Sequence, residues 1–501
     1  MKPDARGVCQ VKAYRTRLKA AVAHTCLFGA CLIGAAGPAV ADTTDDLLLT
    51  LKNKGILTDA EYQQLLQRKS AEPATSAAVA SAPPSASPQA AQAQSSAAGA
   101  LDMSHVVRMT DKGVGMQLGD VAVTFSGSVN GYYVHDSGDK PIANHVVSGG
   151  LASVGSKSSA VRNGLLPGYL KIDVTTQQAG WDVGAHFGLY PGINSVTGVG
   201  GANSAGSPTA LSTAGIDFRQ TYLTFGKPNI GEFKVGRDIG LFGSEGILND
   251  ITLLSVGSPG ANAAPSNTSL GRIGIGYIYT DFQPQITYTS PNLHGFQATV
   301  GAFQPLETAG RNETNKNPGF QGKLTYDWKG GKLGVRVWLS GITQKHDATD
   351  LLPGYTGSGF DLGSKIRFGP ATLTGYYYGG RGIGTTGLFI LSTDTLGNRR
   401  DTHGYYVQGT YTIGKLSLGV SYGGSYLKLT GAEKDDRALG GVAGVYDPTL
   451  LDHNTSWVGG ARYGLTSWVT LISEYAHTNS TAHGGNHASS DAVATGAILF
   501  F

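Results

Sequence analysis

Eight basic side chains, Lys171, Arg219, Lys234, Lys323, Arg336, Lys365, Arg367 and Arg462, fall on the polar positions of segments that alternate polar and apolar residues. Five acids, Asp173, Asp182, Asp217, Asp327 and Asp361, share those positions. Fixed charges of both signs along one face of a strand break no covalent bond. They attract, repel and orient ions in water, which is the chemistry of a wet, charged constriction. Two further acids, Glu245 and Asp250, lie in a long connection between such segments, and a transverse field arises if they face the basic residues. The excess of bases favours anionic or zwitterionic solutes. The plainer reading of each charge is a solvated side chain or an ion pair that holds a loop.

The elements that position these residues have a period of two. Val121, Val123, Phe125, Val129 and Tyr133 alternate with Thr124, Ser126, Ser128 and Asn130; Leu170, Ile172 and Val174 alternate with Lys171, Asp173 and Thr175. Trp181, Val183, Ala185, Phe187 and Leu189 oppose Asp182 and His186, and windows at 296–303, 320–328, 333–341, 360–368, 405–413 and 416–424 repeat the pattern. Strands of about ten residues with one polar face are what a transmembrane barrel requires. Short turns near 178–180, 227–230, 329–331, 369–370, 414–415 and 465–467 alternate with long connections near 135–167, 190–215, 238–270, 303–319, 342–358, 379–403, 428–453 and 478–490. Eight long loops imply sixteen strands. A seventeenth alternating window, Arg272 to Tyr279, is taken as the return of the preceding loop or as a strand extension, because a separate strand would put the 303–319 connection on the wrong rim. The chain ends on a strand, DAVATGAILFF from Asp491 to Phe501, as expected where a sheet closes on itself and its outer face meets lipid.

Residues 1–41 have the form of a secretory signal peptide: Lys2, Arg6, Lys12, Arg15, Arg17 and Lys19, a mostly apolar stretch from Ala20 to Val40, then Ala39-Val40-Ala41 before Asp42. Sec export to the outer membrane follows as an expectation. Cys9, Cys26 and Cys31 all lie in that segment, so the mature chain has no thiol for a disulfide or a zinc–thiolate site. Removing its six basic residues and one acid from 38 and 35 leaves 32 and 34, a net charge of −2, and the basic pI carries no message about nucleic acid. Residues 42–69 read as a short periplasmic helical, coiled-coil-like segment. Leu47, Leu48 and Leu51 share a face, and Thr58 to Glu61 has capping-box spacing ahead of Tyr62, Leu65 and Leu66. Residues 70–101 are an Ala/Ser/Pro/Gln-rich linker. The expected fold is all-β, a 16-stranded antiparallel transmembrane β-barrel over 102–501 behind this helical segment.

Trp181, Trp328, Trp457 and Trp468, with the pairs Tyr132-Tyr133 and Tyr405-Tyr406, suit interface girdles. Tyr376 and Tyr378 offer a carbohydrate-stacking track as the sharper alternative to packing. Gly382 to Gly387 satisfies G-x-G-x-x-G, but no βαβ unit encloses it, so it reads as a flexible external loop. His477, His483 and His487 crowd the last loop, where Gly484-Gly485 prevents a ligand-bearing helix. No metal, cofactor or catalytic set is expected.

These residues resemble the Gram-negative outer-membrane porins. The resemblance rests on GRDIGLFGSEGILND from Gly236 to Asp250, on ITYTSPNLHGF from Ile286 to Phe296 with its Y-x-S-P-x-x-x-G-F run, and on the terminal Phe501. The leader from Leu51 to Leu66, L-x-x-K-G-I-L-T-D-A-E-Y-x-x-L-L, is similar to that of phosphate-selective and DcaP-like porins. The resemblance implies a third loop folded into the lumen after strand five and a homotrimer set in outer-membrane lipid. It also implies that the barrel-assembly machinery engages Phe501. It adds Arg237 to the pore-lining residues, although Arg237 has the parity of apolar Phe233 and Val235 and otherwise reads as a rim or loop residue. The dense Arg/Lys ladder of the phosphate-selective members is missing. The function implied is passive diffusion of small hydrophilic solutes, with anions favoured. The competing classes are a barrel enzyme of phospholipase or protease type, which needs a Ser/His/acid set fixed on the wall, and an adhesive surface barrel.

Overall fold

The computed structural model describes residues 107–109, 114–155, 157–193, 216–259 and 268–501. The signal peptide, the helical segment and the linker lie outside the described residues. Sixteen antiparallel strands close into one barrel. They are β1 (Val121–Gly138), β2 (two pieces, Ser158–Arg162 and Tyr169–Gln178), β3 (Trp181–Pro191), β4 (Ile216–Lys227), β5 (Gly231–Ile239), β6 (Phe282–Thr289), β7 (Phe296–Phe303) and β8 (Gly319–Gly330). The second half comprises β9 (Leu333–His346), β10 (Tyr355–Phe368), β11 (Ala371–Arg381), β12 (Asp401–Ile413), β13 (Leu416–Leu427), β14 (Leu451–Gly464), β15 (Val469–Ala482) and β16 (His487–Phe500). Each strand pairs with its sequence neighbours, and Ser490–Phe500 of β16 pairs with Ser128–Gly138 of β1 to close the ring. Phe501 completes the seam by exchanging backbone hydrogen bonds with Gly127 at 3.0 and 3.1 Å. Beyond that point the short strand Gly115–Leu118 takes over the β1 edge, pairing with Val121–Thr124.

Alternation along each strand sets an inverted pattern of burial. Val129, Ile286, Val300 and Val420 on the outer face are each more than half exposed, whereas Gln283, Gln285, Gln321 and Asn454 on the inner face are buried. Such a surface is stable only where the outer face meets hydrocarbon, and closure leaves no unpaired strand edge there. Among the described residues no helix is long and apolar enough to cross a membrane.

One rim carries tight turns. In the two-residue hairpin between β2 and β3, Ala179 (φ 50°) and Gly180 (φ 77°) are both left-handed, the conformation that matches the twist of the flanking strands. Aromatic rings band this rim on the outside: Trp181 with Phe225 at 6.2 Å, Phe225 with Phe233 at 5.2 Å, Phe296 with Tyr326 at 4.3 Å and Trp468 with Phe501 at 6.1 Å. Tyr405, Tyr422 and Trp457 band the other rim. Tyr132 and Tyr406, grouped with the girdles from the sequence, point inward and are buried, as alternation from Tyr133 and Tyr405 demands.

The opposite rim carries the long connections. The last of them is shorter than its sequence suggests, because β15 and β16 run on to a hairpin over 483–486. His477 is therefore a strand residue, paired across the strands with Asp491 at 2.8 Å. Other rim loops are fastened by buried polar contacts, a carboxylate–imidazole hydrogen bond from Glu313 to His346 at 2.8 Å and an ion pair from Arg400 to Glu433 at 2.5 Å. Burial alone would raise the Glu313 carboxyl, but hydrogen bonds from His346 and Thr308 hold it below the usual range.

The main apolar core lies inside the ring and to one side. Phe242, Ile247, Ile273, Tyr277 and Ile278 of the β5–β6 connection pack on Trp338 and Ile342 of β9, Tyr376 and Tyr378 of β11 and Tyr406 of β12. Ile383, Leu388 and Phe389 of the β11–β12 connection join them. Each such side chain contributes about 1.5–3 kcal/mol on burial. The Gly382–Gly387 stretch is thus a packed inward turn, with Ile383 fully buried, and the flexible external loop expected of it is not found.

Candidate functional site

The β5–β6 connection, described over residues 240–259 and 268–281, folds inward onto the wall and narrows the lumen. It has little sheet of its own, so its backbone groups must find partners on the wall. Leu241 and Phe242 N–H donate to Gln321 Oε1 of β8 at 2.8 and 3.0 Å, and Gly243 N–H donates to Asp361 of β10 at 2.7 Å. A one-turn helix, α1 (Ser244–Leu248), follows. At Gly246 a Cβ would lie 3.0 Å from the Tyr376 ring, so glycine lets α1 lie flat against β11. Asn249 O and Ile251 N–H are both held by the Gln408 side chain of β12, at 2.5 and 2.9 Å. A single 3₁₀ turn, Ile251–Leu254, is capped by Asp250, whose carboxylate accepts from Thr252 N–H at 2.9 Å and from Tyr277 OH at 2.8 Å. Arg462 of β14 donates to Ile251 O. Glu474 of β15 accepts from Gly257 N–H at 2.6 Å, from Val256 N–H at 3.3 Å and from Ser255 Oγ. On the far side, β2 is interrupted at 163–168, and Leu165 N–H donates to Ser255 O at 2.8 Å.

The connection brings an acid onto a basic wall. Glu245 on α1 receives Arg336 of β9 at 2.8 and 3.2 Å and Lys323 of β8 at 3.3 Å. Burial opposes its ionisation, but Lys323 and Arg336 hold its carboxyl below the usual range. Arg336 also pairs with Asp327 at 2.7 Å. Lys365 Nζ donates to Asn249 Oδ1 at 3.2 Å. Arg367, two residues on along the same face of β10, is exposed. Lys323, Arg336, Lys365 and Arg367 thus stand against Glu245, Asp327 and the buried Asp361, which is taken up by Gly243 N–H and Ser340. Glu245 meets the basic wall in direct contact with Lys323 and Arg336. Asp250 is enclosed by its own segment, and burial pushes its carboxyl up.

The lumen face of β2–β5 is the other wall. His186 of β3 lies 2.6 Å from Asp173 of β2 and 3.1 Å from Thr224 Oγ1 of β4, and its ring stacks on Tyr222 at 4.6 Å. Lys234 of β5 sits 4.8 Å over that same Tyr222 ring and pairs with Asp238 at 2.5 Å. A bulge where β4 meets Gly188/Leu189 sends both Arg219 and Gln220 inward. Arg219 pairs with Asp217 at 2.7 Å and lies 5.2 Å over Tyr190. Lys171 occupies the rung of β2 above Asp173 and is partly exposed. Counting Asp182 and Glu232, this wall holds Lys171, Arg219 and Lys234 against Asp173, Asp182, Asp217, Glu232 and Asp238. It is the acidic wall of the lumen.

Several sequence-level choices thus meet in one place. Glu245, Lys323, Arg336 and Lys365 form one contact cluster, with Arg367 beside it. Lys171, Arg219 and Lys234 stand on the acidic wall. Asp250 and Arg462 fasten the inward connection. Arg237 stands apart: β5 runs through it to Ile239, its neighbours of like parity are Phe233 and Val235, and it is exposed, so it points away from the lumen. The carbohydrate track fails as well, since Tyr376 and Tyr378 are buried beneath α1 with their faces taken by the core. Glu232, Asp238, Gln321, Gln408 and Glu474 escaped the sequence reading, although each has the inward parity that would have marked it.

A closed sixteen-strand barrel, apolar outside and charged within around an inward-folded connection, defines the class of outer-membrane channels. The profile of the Gram-negative porin family matches residues 74–483, and the chain belongs to that family. It is a porin of the bacterial outer membrane. Among solved structures it is similar to the outer membrane channel DcaP of Acinetobacter baumannii, at 15% identity and a TM-score of 0.57 over 76% of this chain and 97% of that one. It is similar also to the anion-selective porin of Comamonas acidovorans, at 16% identity and a TM-score of 0.50 over 76% of this chain and all of that one. No curated protein sequence matches the chain.

Proposed function

We propose that the barrel is a non-enzymatic channel for passive diffusion of small hydrophilic solutes, and that its divided lumen suits solutes carrying both charges. The observation behind this is the segregation of charge: Lys323, Arg336, Lys365 and Arg367 on β8–β10, and the acid-rich face of β2–β5 across the lumen. A zwitterion aligned across such a field is stabilised at both ends, whereas an anion or a cation gains on one wall and loses on the other. The anion preference suggested by counting bases in the sequence gives way to this reading once Glu232 and Asp238 are included. Sec export, assembly as three copies and engagement of Phe501 by the barrel-assembly machinery belong to the same proposal, on the strength of the family.

The test is liposome swelling in glutamine, glutamate and lysine, three solutes of similar size. Glutamine is expected to enter fastest. Faster entry of either charged amino acid would overturn the divided-lumen reading.

The Asp173–His186–Thr224 line has the form of an acid–imidazole–hydroxyl relay. Thr224 is buried between strands, and the line serves as a brace across β2, β3 and β4.

A further inference from the structure

His186 is an imidazole ring set among the carboxylates and cationic side chains of the β2–β5 lumen face. Its Nδ1 meets Asp173 at 2.6 Å and its Nε2 meets Thr224 at 3.1 Å, while its face lies on Tyr222. The charged and titratable groups around it are Lys171 and Asp173 from β2, Asp182 and Tyr190 on its own strand, Asp217, Arg219 and Tyr222 from β4, and Glu232, Lys234 and Asp238 from β5. With His186 neutral these sum to three bases against five acids. Imidazole gains its charge within the range of about pH 5–8. The Asp173 carboxylate at Nδ1 is already placed to receive it as an ion pair.

We propose that His186 is a selectivity residue of the pore, set by the pH on the lumen side: its protonation cancels Asp173 and removes half of the net negative charge of the β2–β5 wall. In acid the wall repels anions less and holds cations less. The permeability ratio therefore moves toward anions as pH falls, without movement of the inward connection. The proposal rests on the divided-lumen channel described above.

The experiment is the zero-current potential across a KCl gradient for the full mature protein in planar bilayers, compared at about pH 8 and about pH 5.5. The wild type should shift toward chloride by about two- to threefold in permeability ratio, the scale of one unit charge acting through screened water. His186→Gln should remove most of that shift. Asp173→Asn should show at high pH the ratio that the wild type reaches only in acid. An undiminished pH shift in His186→Gln, or an Asp173→Asn channel indistinguishable from wild type at high pH, overturns the assignment. A bilayer that shows no conductance at all with the wild type would instead overturn the channel reading beneath it.

Discussion

Replacing Lys365 and Arg367 together by glutamate is expected to make the channel strongly cation-selective. Both residues lie on the lumen face of β10, Lys365 directly across the ladder from Arg336 and Arg367 opposite Gly334, and neither is an essential anchor of the inward connection. Lys365 makes one hydrogen bond to that connection, to the Asn249 side chain, and Arg367 is exposed. At about 8 Å in a water-like dielectric one unit charge acts on an ion with about 0.5 kcal/mol, so the four-unit change amounts to about 2 kcal/mol before salt screens it. The cation-to-anion permeability ratio, read from zero-current potentials at low ionic strength, should rise on the order of tenfold. The reversed lumen then has two acidic walls, and glutamine should lose its advantage over lysine in swelling assays. A ratio unchanged from wild type would place β10 outside the permeation path.

Replacing Glu474 by alanine is expected to free the inward connection while leaving the barrel closed. Glu474 is buried on β15 and receives two backbone N–H groups and one hydroxyl, from Gly257, Val256 and Ser255. Each buried donor left without a partner costs about 1–3 kcal/mol. The strand ladder with β14 and β16 does not involve that carboxylate, so the barrel should unfold at the same temperature in detergent as the wild type. Single-channel records should show larger and noisier steps than wild type. Steps of wild-type size and steadiness would mean that the connection is held by its apolar core alone. Glu474→Gln, which keeps an acceptor oxygen, should lie between the two.

The barrel was legible because alternation is a direct consequence of lipid on one face and water on the other. Strand number followed from the alternation of short and long connections, and the assignment of Arg272–Tyr279 to the returning loop agrees with its place inside the lumen. What parity could not supply was partnership. Glu245 and Lys323 are 78 residues apart in sequence, and nothing in the period of either segment announces that they touch. The same gap hid the aromatic core: Tyr376 has inward parity, but only the path of the 240–281 segment decides whether its ring meets solute or Gly246. Arg237 shows the reverse, a residue placed in the lumen by resemblance and returned to the outer face by its own strand. His186 had the right parity from the outset. Its interest appeared only with Asp173, Thr224 and Tyr222 around it.

Residues 42–501 contain no cysteine, which allows the water path to be probed one position at a time. Lys171 and Leu170 are adjacent on β2 and face opposite ways, one into the lumen and one toward lipid. A charged, membrane-impermeant methanethiosulfonate applied to Lys171→Cys channels in a planar bilayer should change the single-channel current at once, and the same reagent should leave Leu170→Cys channels unaffected. Modification of current through Leu170→Cys, with Lys171→Cys silent, would contradict a wet interior and a lipid-facing exterior.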